Sequence, residues 1–145
     1  MIKFNRISQI ERSEYPFEDA VLKNDALNGD FGTITDGEFD TAAASFKAIM
    51  QNETGDDMGM PEYKIKAGEH VRVLDLTKFN GQAIEVYGAQ LPAAYAKGDK
   101  LKSNASGKLV SGATVAPYLE VTDIVGNKIG LVAKIVAATA PVSGN

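Results

Sequence analysis

The chain contains no cysteine and no tryptophan, and only one histidine in 145 residues. Without cysteine there can be no disulfide framework, no thiolate nucleophile and no cysteine-based zinc site. The single histidine, His70, sits between Glu69 and Val71 and has no nucleophile or second histidine or cysteine to make a triad or a typical metal site, so a structural role is the reading it supports. An excess of positive charge is also missing. Fifteen Lys and Arg stand against 19 Asp and Glu, the net charge is −4, and the basic residues are scattered. That leaves no basic face to attract nucleic acid. No apolar run approaches the roughly 20 residues that a membrane span requires. The most apolar stretch, IGLVAKIVAATA, is interrupted by Lys134. The opening residues MIKFNRISQIERSEYPF carry charges every few positions and have no apolar core segment, so no secretory signal is expected.

The motifs of common chemistries are equally scarce. Neither GxxxxGK[ST] nor GxGxxG occurs, so nucleotide binding lacks its usual phosphate loop. Asp30-Phe31-Gly32 spells a kinase tripeptide, but no catalytic loop accompanies it. Asp56-Asp57 and the acids at 30, 36 and 40 do not follow a calcium-loop pattern. Acidic residues beside glycine are what turns require. No cofactor and no metal are expected.

What the sequence does have is turn chemistry at short, regular intervals. From residue 63 onward, YKIKAGEHVRVLDL, QAIEVYG, APYLEVTDIV and KIGLVAKIVA alternate apolar and polar positions, with Asn80-Gly81 and Gly126-Asn127 between them. Strands at about ten-residue spacing separated by such turns mark a small sandwich or barrel. Asp36-Gly37 reads as a tight turn between the short strands of DFGTIT and EFD. Residues 41–62 are open to two readings. TAAASFKAIMQNE is alanine-rich behind an Asp40/Thr41 start signal, which favours a short helix, yet Phe46, Ala48 and Met50 also alternate as in a strand. The helix is the preferred expectation. Ile2, Phe4, Ile7 and Ile10 form a sparse apolar stripe too thin to order an isolated segment. The expected fold is therefore mainly β, a small sandwich or barrel over residues 28–145, with an extended N-terminal arm or edge segment over 1–27 and one short helix.

Residues 86–137 carry a resemblance. Gly88-x-x-Leu91, then Gly98-Asp99-x-Leu101, then Asn104-x-x-Gly107-Lys108 and a Gly126 hairpin into 129–136 follow one another in a fixed order. This arrangement resembles the β-domain of tailed-bacteriophage capsid decoration proteins, also called head-stabilising or cement proteins. The resemblance implies a non-enzymatic protein on the exterior of the virion, assembled in the host cytoplasm. Its implied partner is the major capsid protein, bound at junctions between capsid subunits, with a homotrimer as the favoured assembly and neither nucleic acid nor membrane as a ligand. The resemblance also makes the N-terminal segment a contact region, with Ile2, Phe4, Ile7, Ile10, Tyr15 and Phe17 as candidate contacts to the capsid or to a neighbouring copy. The alternative is a head-fibre, tail-associated or carbohydrate-binding β-module that uses Tyr63, Tyr87, Tyr95 and Tyr118 as a stacking face.

Overall fold

A computed structural model describes residues 2–4, 17–50 and 64–137. Within them the chain is mainly β, in thirteen short strands. The first eight are β1 (Ile2–Phe4), β2 (Phe17–Leu22), β3 (Ala26–Leu27), β4 (Phe31–Thr35), β5 (Glu38–Thr41), β6 (Lys47–Ile49), β7 (Lys64–Ile65) and β8 (His70–Asp75). They are followed by β9 (Ala83–Tyr87), β10 (Lys100–Ser103), β11 (Leu109–Ser111), β12 (Tyr118–Val125) and β13 (Gly130–Val136). Five of them close a barrel in the order β2-β5-β4-β6-β8, and six form a sheet in the order β1-β9-β13-β12-β10-β11. Strands β3 and β7 pair by themselves. The expected β class, with a barrel, is what the chain forms.

Local chemistry explains most of the hairpins. Asp36 and Gly37 both take positive φ, 52° and 79°, and join Thr35 to Glu38 in register. That is the two-residue turn whose twist matches a β-hairpin. Longer β12 and β13 pair from Tyr118↔Val136 to Val125↔Gly130, with a register shift between Val121 and Asp123. In β10 the exposed lysines 100 and 102 alternate with buried Leu101 and Ser103, which fixes which face looks inward.

The barrel strands are harder to read, because several are buried on both sides. Ile49, Val71 and Val73 point into the barrel with Phe39, Leu22 and Ala20. Their neighbours Ala48 and Leu74 point the other way, into a second core shared with Ile84, Val86, Leu101, Leu119, Leu131 and Ile135 of the large sheet. The β4-β6-β8 wall therefore separates two cores. A strand covered on both faces reads as a continuous apolar run rather than an alternation.

This double burial is why the short helix expected over 41–62 does not form in its described part. Residues 42–46 are a loop with Ala44 at φ 55°, and 47–49 are β6. Alanine's helix preference is worth at most about 0.7 kcal/mol per residue over ordinary residues. Burying Ile49 in one core and Ala48, Phe46 and Met50 in the other outweighs it. The helical pieces among the described residues are two 3₁₀ turns, Leu76–Phe79 and Gly88–Gln90. Within residues 1–27, the described strands join the fold, β1 as an edge strand of the sheet. β1 adds to β9 of the sheet, β2 is a stave of the barrel between β8 and β5, and β3 pairs with β7.

Candidate functional site

The segment that carries the family resemblance lies where barrel and sheet meet. Between β10 and β11 the chain turns through residues 104–108. The Asn104 side-chain oxygen accepts the backbone N–H groups of Ser106 at 2.9 Å and Lys108 at 3.1 Å. The Asn104 N–H donates to the Lys108 carbonyl at 2.8 Å, closing the turn. Asparagine serves here because its short side chain can imitate a backbone acceptor.

Gly107 then brings the turn onto the barrel. Its φ is +76°, and a Cβ placed there would lie 2.5 Å from the Phe31 carbonyl oxygen. Only glycine allows both the backbone conformation and the approach. In return the Phe31 N–H donates to the Gly107 carbonyl at 2.9 Å. Phe31 itself is fully buried, edge-on to Phe46 with ring centroids 6.2 Å apart.

One residue to either side of that backbone contact lies a charged pair. The Lys108 ammonium contacts the carboxylate of Asp30, whose residue is only 4% exposed. Asp30 Oδ1 also accepts from the side-chain amide of fully buried Gln90, and Oδ2 accepts from the Leu27 N–H at 2.9 Å. A second polar stitch runs alongside. The Ser103 hydroxyl accepts the Ser45 N–H at 2.8 Å and lies 3.0 Å from the Ala42 carbonyl, while the Ala44 N–H donates to the Ser103 carbonyl at 2.9 Å. Buried polar groups satisfied in this way fix one arrangement of the two cores.

Of the six candidate contact residues, Ile2, Phe4 and Phe17 lie among the described residues. Ile2 is 2% exposed in the core beneath the sheet. Phe4 sits in β1 in register with Ile84. Phe17 opens β2, half-buried against the same core, with the Arg72 guanidinium 4.4 Å above its ring. Ile7, Ile10 and Tyr15 lie outside the described residues, as does Tyr63. The remaining tyrosines are divided between the two ends of the sheet. Tyr87 lies against Gly130, and the Tyr95 hydroxyl donates to the Lys128 carbonyl at 2.9 Å. Tyr118 pairs with Val136, six residues further along β13 and thus about 20 Å away. Each is occupied within the chain, Tyr118 beneath the Lys100 ammonium and Tyr87 donating to Glu85 at 2.6 Å. The bond to Glu85 raises the Tyr87 pKa above its ordinary 10.0.

Among the described residues, the large hydrophobic ones that remain exposed are Val115, 74% open on the loop before β12, and Ile129, 64% open in the hairpin after it. They stand at opposite ends of an eight-residue strand, about 27 Å long. Among the described residues no three His, Cys, Asp or Glu side chains converge to hold a metal ion. His70 begins β8 in register with Val21. No helix of the described residues is long and apolar enough to cross a membrane.

No family model matches the chain, and no curated protein matches it either. The Asn104–Lys108 turn is legible in the sequence but its mate is not. Asp30 looks like an ordinary turn acid and Gln90 carries no signal, since both gain their meaning from contacts 60 to 78 residues away.

Proposed function

We propose that this chain is a non-enzymatic structural protein of a tailed-phage virion, bound to the outer surface of the shell at junctions between major capsid subunits. The observation that carries the reading is the order of turns over 86–137. Gly88, Gly98 and Gly107 of the resemblance all take positive φ, at 68°, 91° and 76°, Leu101 is fully buried, and Asn104 closes its turn. Each position of the pattern thus has the conformation or burial that its residue type suits best. Support also comes from the build of the body, in which two cores are locked through one polar joint. A shell protein must resist deformation, and a rigid body bound in many copies multiplies weak contacts. A net charge of −4 suits an outer surface away from packaged DNA.

The test is sedimentation with expanded, DNA-free shells assembled from the major capsid protein of the genome that encodes the chain. The protein is expected to pellet with the shells, to saturate at a fixed ratio and to raise their disruption temperature. Light scattering of the free protein is expected to give a trimer. Failure to bind such shells, together with retention on a glycan array, would replace this reading with the carbohydrate-binding one.

A further inference from the structure

The Asp30–Lys108 pair is held more closely than a surface ion pair. Lys108 follows Gly107 and Asp30 precedes Phe31, and the Phe31 N–H is bonded to the Gly107 carbonyl. The backbone therefore brings the two residues together before their side chains meet, which lowers the entropic barrier to a reaction between them. Both carboxyl oxygens are polarised by donors, Oδ1 by the Gln90 amide and Oδ2 by the Leu27 N–H. The Lys108 nitrogen contacts Oδ1, the atom bonded to Cγ, in a site where Asp30 and Gln90 are almost completely buried. Gln90 Oε1 is buried beside them without a donor among the described residues.

The geometry points to an intramolecular isopeptide bond between Lys108 and Asp30. By way of solvent the ammonium passes one proton to Oδ2, and the neutral Nζ then attacks Cγ of the neutral carboxyl to form a C–N bond. The negative charge that develops on Oδ1 is held by the Gln90 amide N–H, in the manner of an oxyanion hole. The Cγ–Oδ2 bond then breaks, and Oδ2 leaves as water with two protons that came from the ammonium. Solvent in the hollow lined by Lys64, Ser106 and Lys108 carries those protons. One carboxylate and one ammonium become one amide and one water, with no oxidant and no further reactant. The product removes two charges from a poorly solvated site, where each is costly to hold. It also places an amide N–H next to the Gln90 head group. The bond spans 78 residues of sequence and joins barrel to sheet. In a chain without cysteine it takes the place of a disulfide, restricting the unfolded state through a long closed loop.

Intact mass of the purified, denatured full chain tests the bond directly. The expected mass is one water below that of the sequence, with a branched peptide joining the Asp30 and Lys108 segments after proteolysis. Lys108→Arg keeps a cation beside Asp30 but offers no nucleophilic amine, and it is expected at its full sequence mass. Wild-type protein at full sequence mass overturns the inference. So does a water loss that persists in Lys108→Arg, or one that maps to an aspartimide at Asp36-Gly37.

Discussion

The barrel and the six-stranded sheet are built from the same short strands but assembled by different rules. Two of the five neighbouring pairs in the sheet are linked by local turns. β10 meets β11 through 104–108, and β12 meets β13 through 126–129. The barrel has one such hairpin, β4-β5, and is otherwise assembled from more distant pieces. β2 pairs with β8 some fifty residues on, and in parallel with β5. A local hairpin is specified by its turn, whereas a closed barrel exists only when every stave is present. The β4-β6-β8 wall makes the two regions interdependent, since it supplies one face to each core.

Removing a stave breaks this comparison most severely. Deleting residues 1–27 takes away β1, β2 and β3, including buried Ile2, Ala20, Leu22 and Ala26. The barrel cannot close, and the wall that covers the sheet loses its support. The truncated chain is expected to show no cooperative thermal transition and no near-ultraviolet dichroism. A stable β-body after that deletion would mean that the sheet folds alone and that the N-terminal segment is an arm.

Phe31→Ala comes next. Its ring is fully buried in the core shared with the sheet, against Phe46, and emptying such a site costs about 3–5 kcal/mol. If barrel and sheet unfold as one unit, urea titrations followed by tyrosine fluorescence and by far-ultraviolet dichroism will coincide and shift together. Separated transitions would show that the joint couples the halves only weakly.

How much of this was legible follows from the same contrast. From residue 63 onward, apolar residues alternate and glycines mark the turns, so the sheet's hairpins and Leu101's inward face could be read directly. Of the barrel, the β4-β5 hairpin and β8 could be read in the same way, but β2 and β6 could not. Residues 46–50, Phe-Lys-Ala-Ile-Met, carry apolar groups on both faces of one strand, and this obscures the two-residue period on which a strand reading depends. β2 is recognisable only from its partners, because adjacent Glu18 and Asp19 break its alternation of apolar and polar residues. Of the joint, Asn104, Gly107 and Lys108 were visible as a turn. Their attachment to Phe31 and Asp30 was not, because a long-range contact leaves no local trace.

Two glycine substitutions sharpen the comparison between joint and hairpin. Gly107→Ala forces both a positive φ and a clash with the Phe31 carbonyl, and is expected to cost about 2–4 kcal/mol. Gly37→Ala meets nothing within 4 Å, so only the backbone strain remains, about 1–2 kcal/mol. Denaturant midpoints measured side by side decide the matter. Equal losses would show that Gly107 is needed for its turn alone and not for docking the sheet on the barrel.

The smallest expected effect concerns acid. Asp40 is held below its ordinary value of 3.8 by the Lys23 ammonium, then by the Asn24 amide. Asp25 is held low by the Ala67 N–H and Lys66, and Asp123 by the Ile124 N–H and Lys97. A carboxylate with a lower pKa in the folded state contributes stability above its unfolded value and loses it as pH falls through the folded one. The melting temperature should therefore decline gently below about pH 4, and less so in high salt, which screens exposed pairs. Asp25 and Asp40 belong to the barrel side and Asp123 to the sheet. Asp40→Asn and Asp123→Asn should each flatten the decline by a similar small amount if the two regions melt together. A slope that vanishes in one variant and is untouched in the other would mean that one region unfolds first in acid, and would identify which.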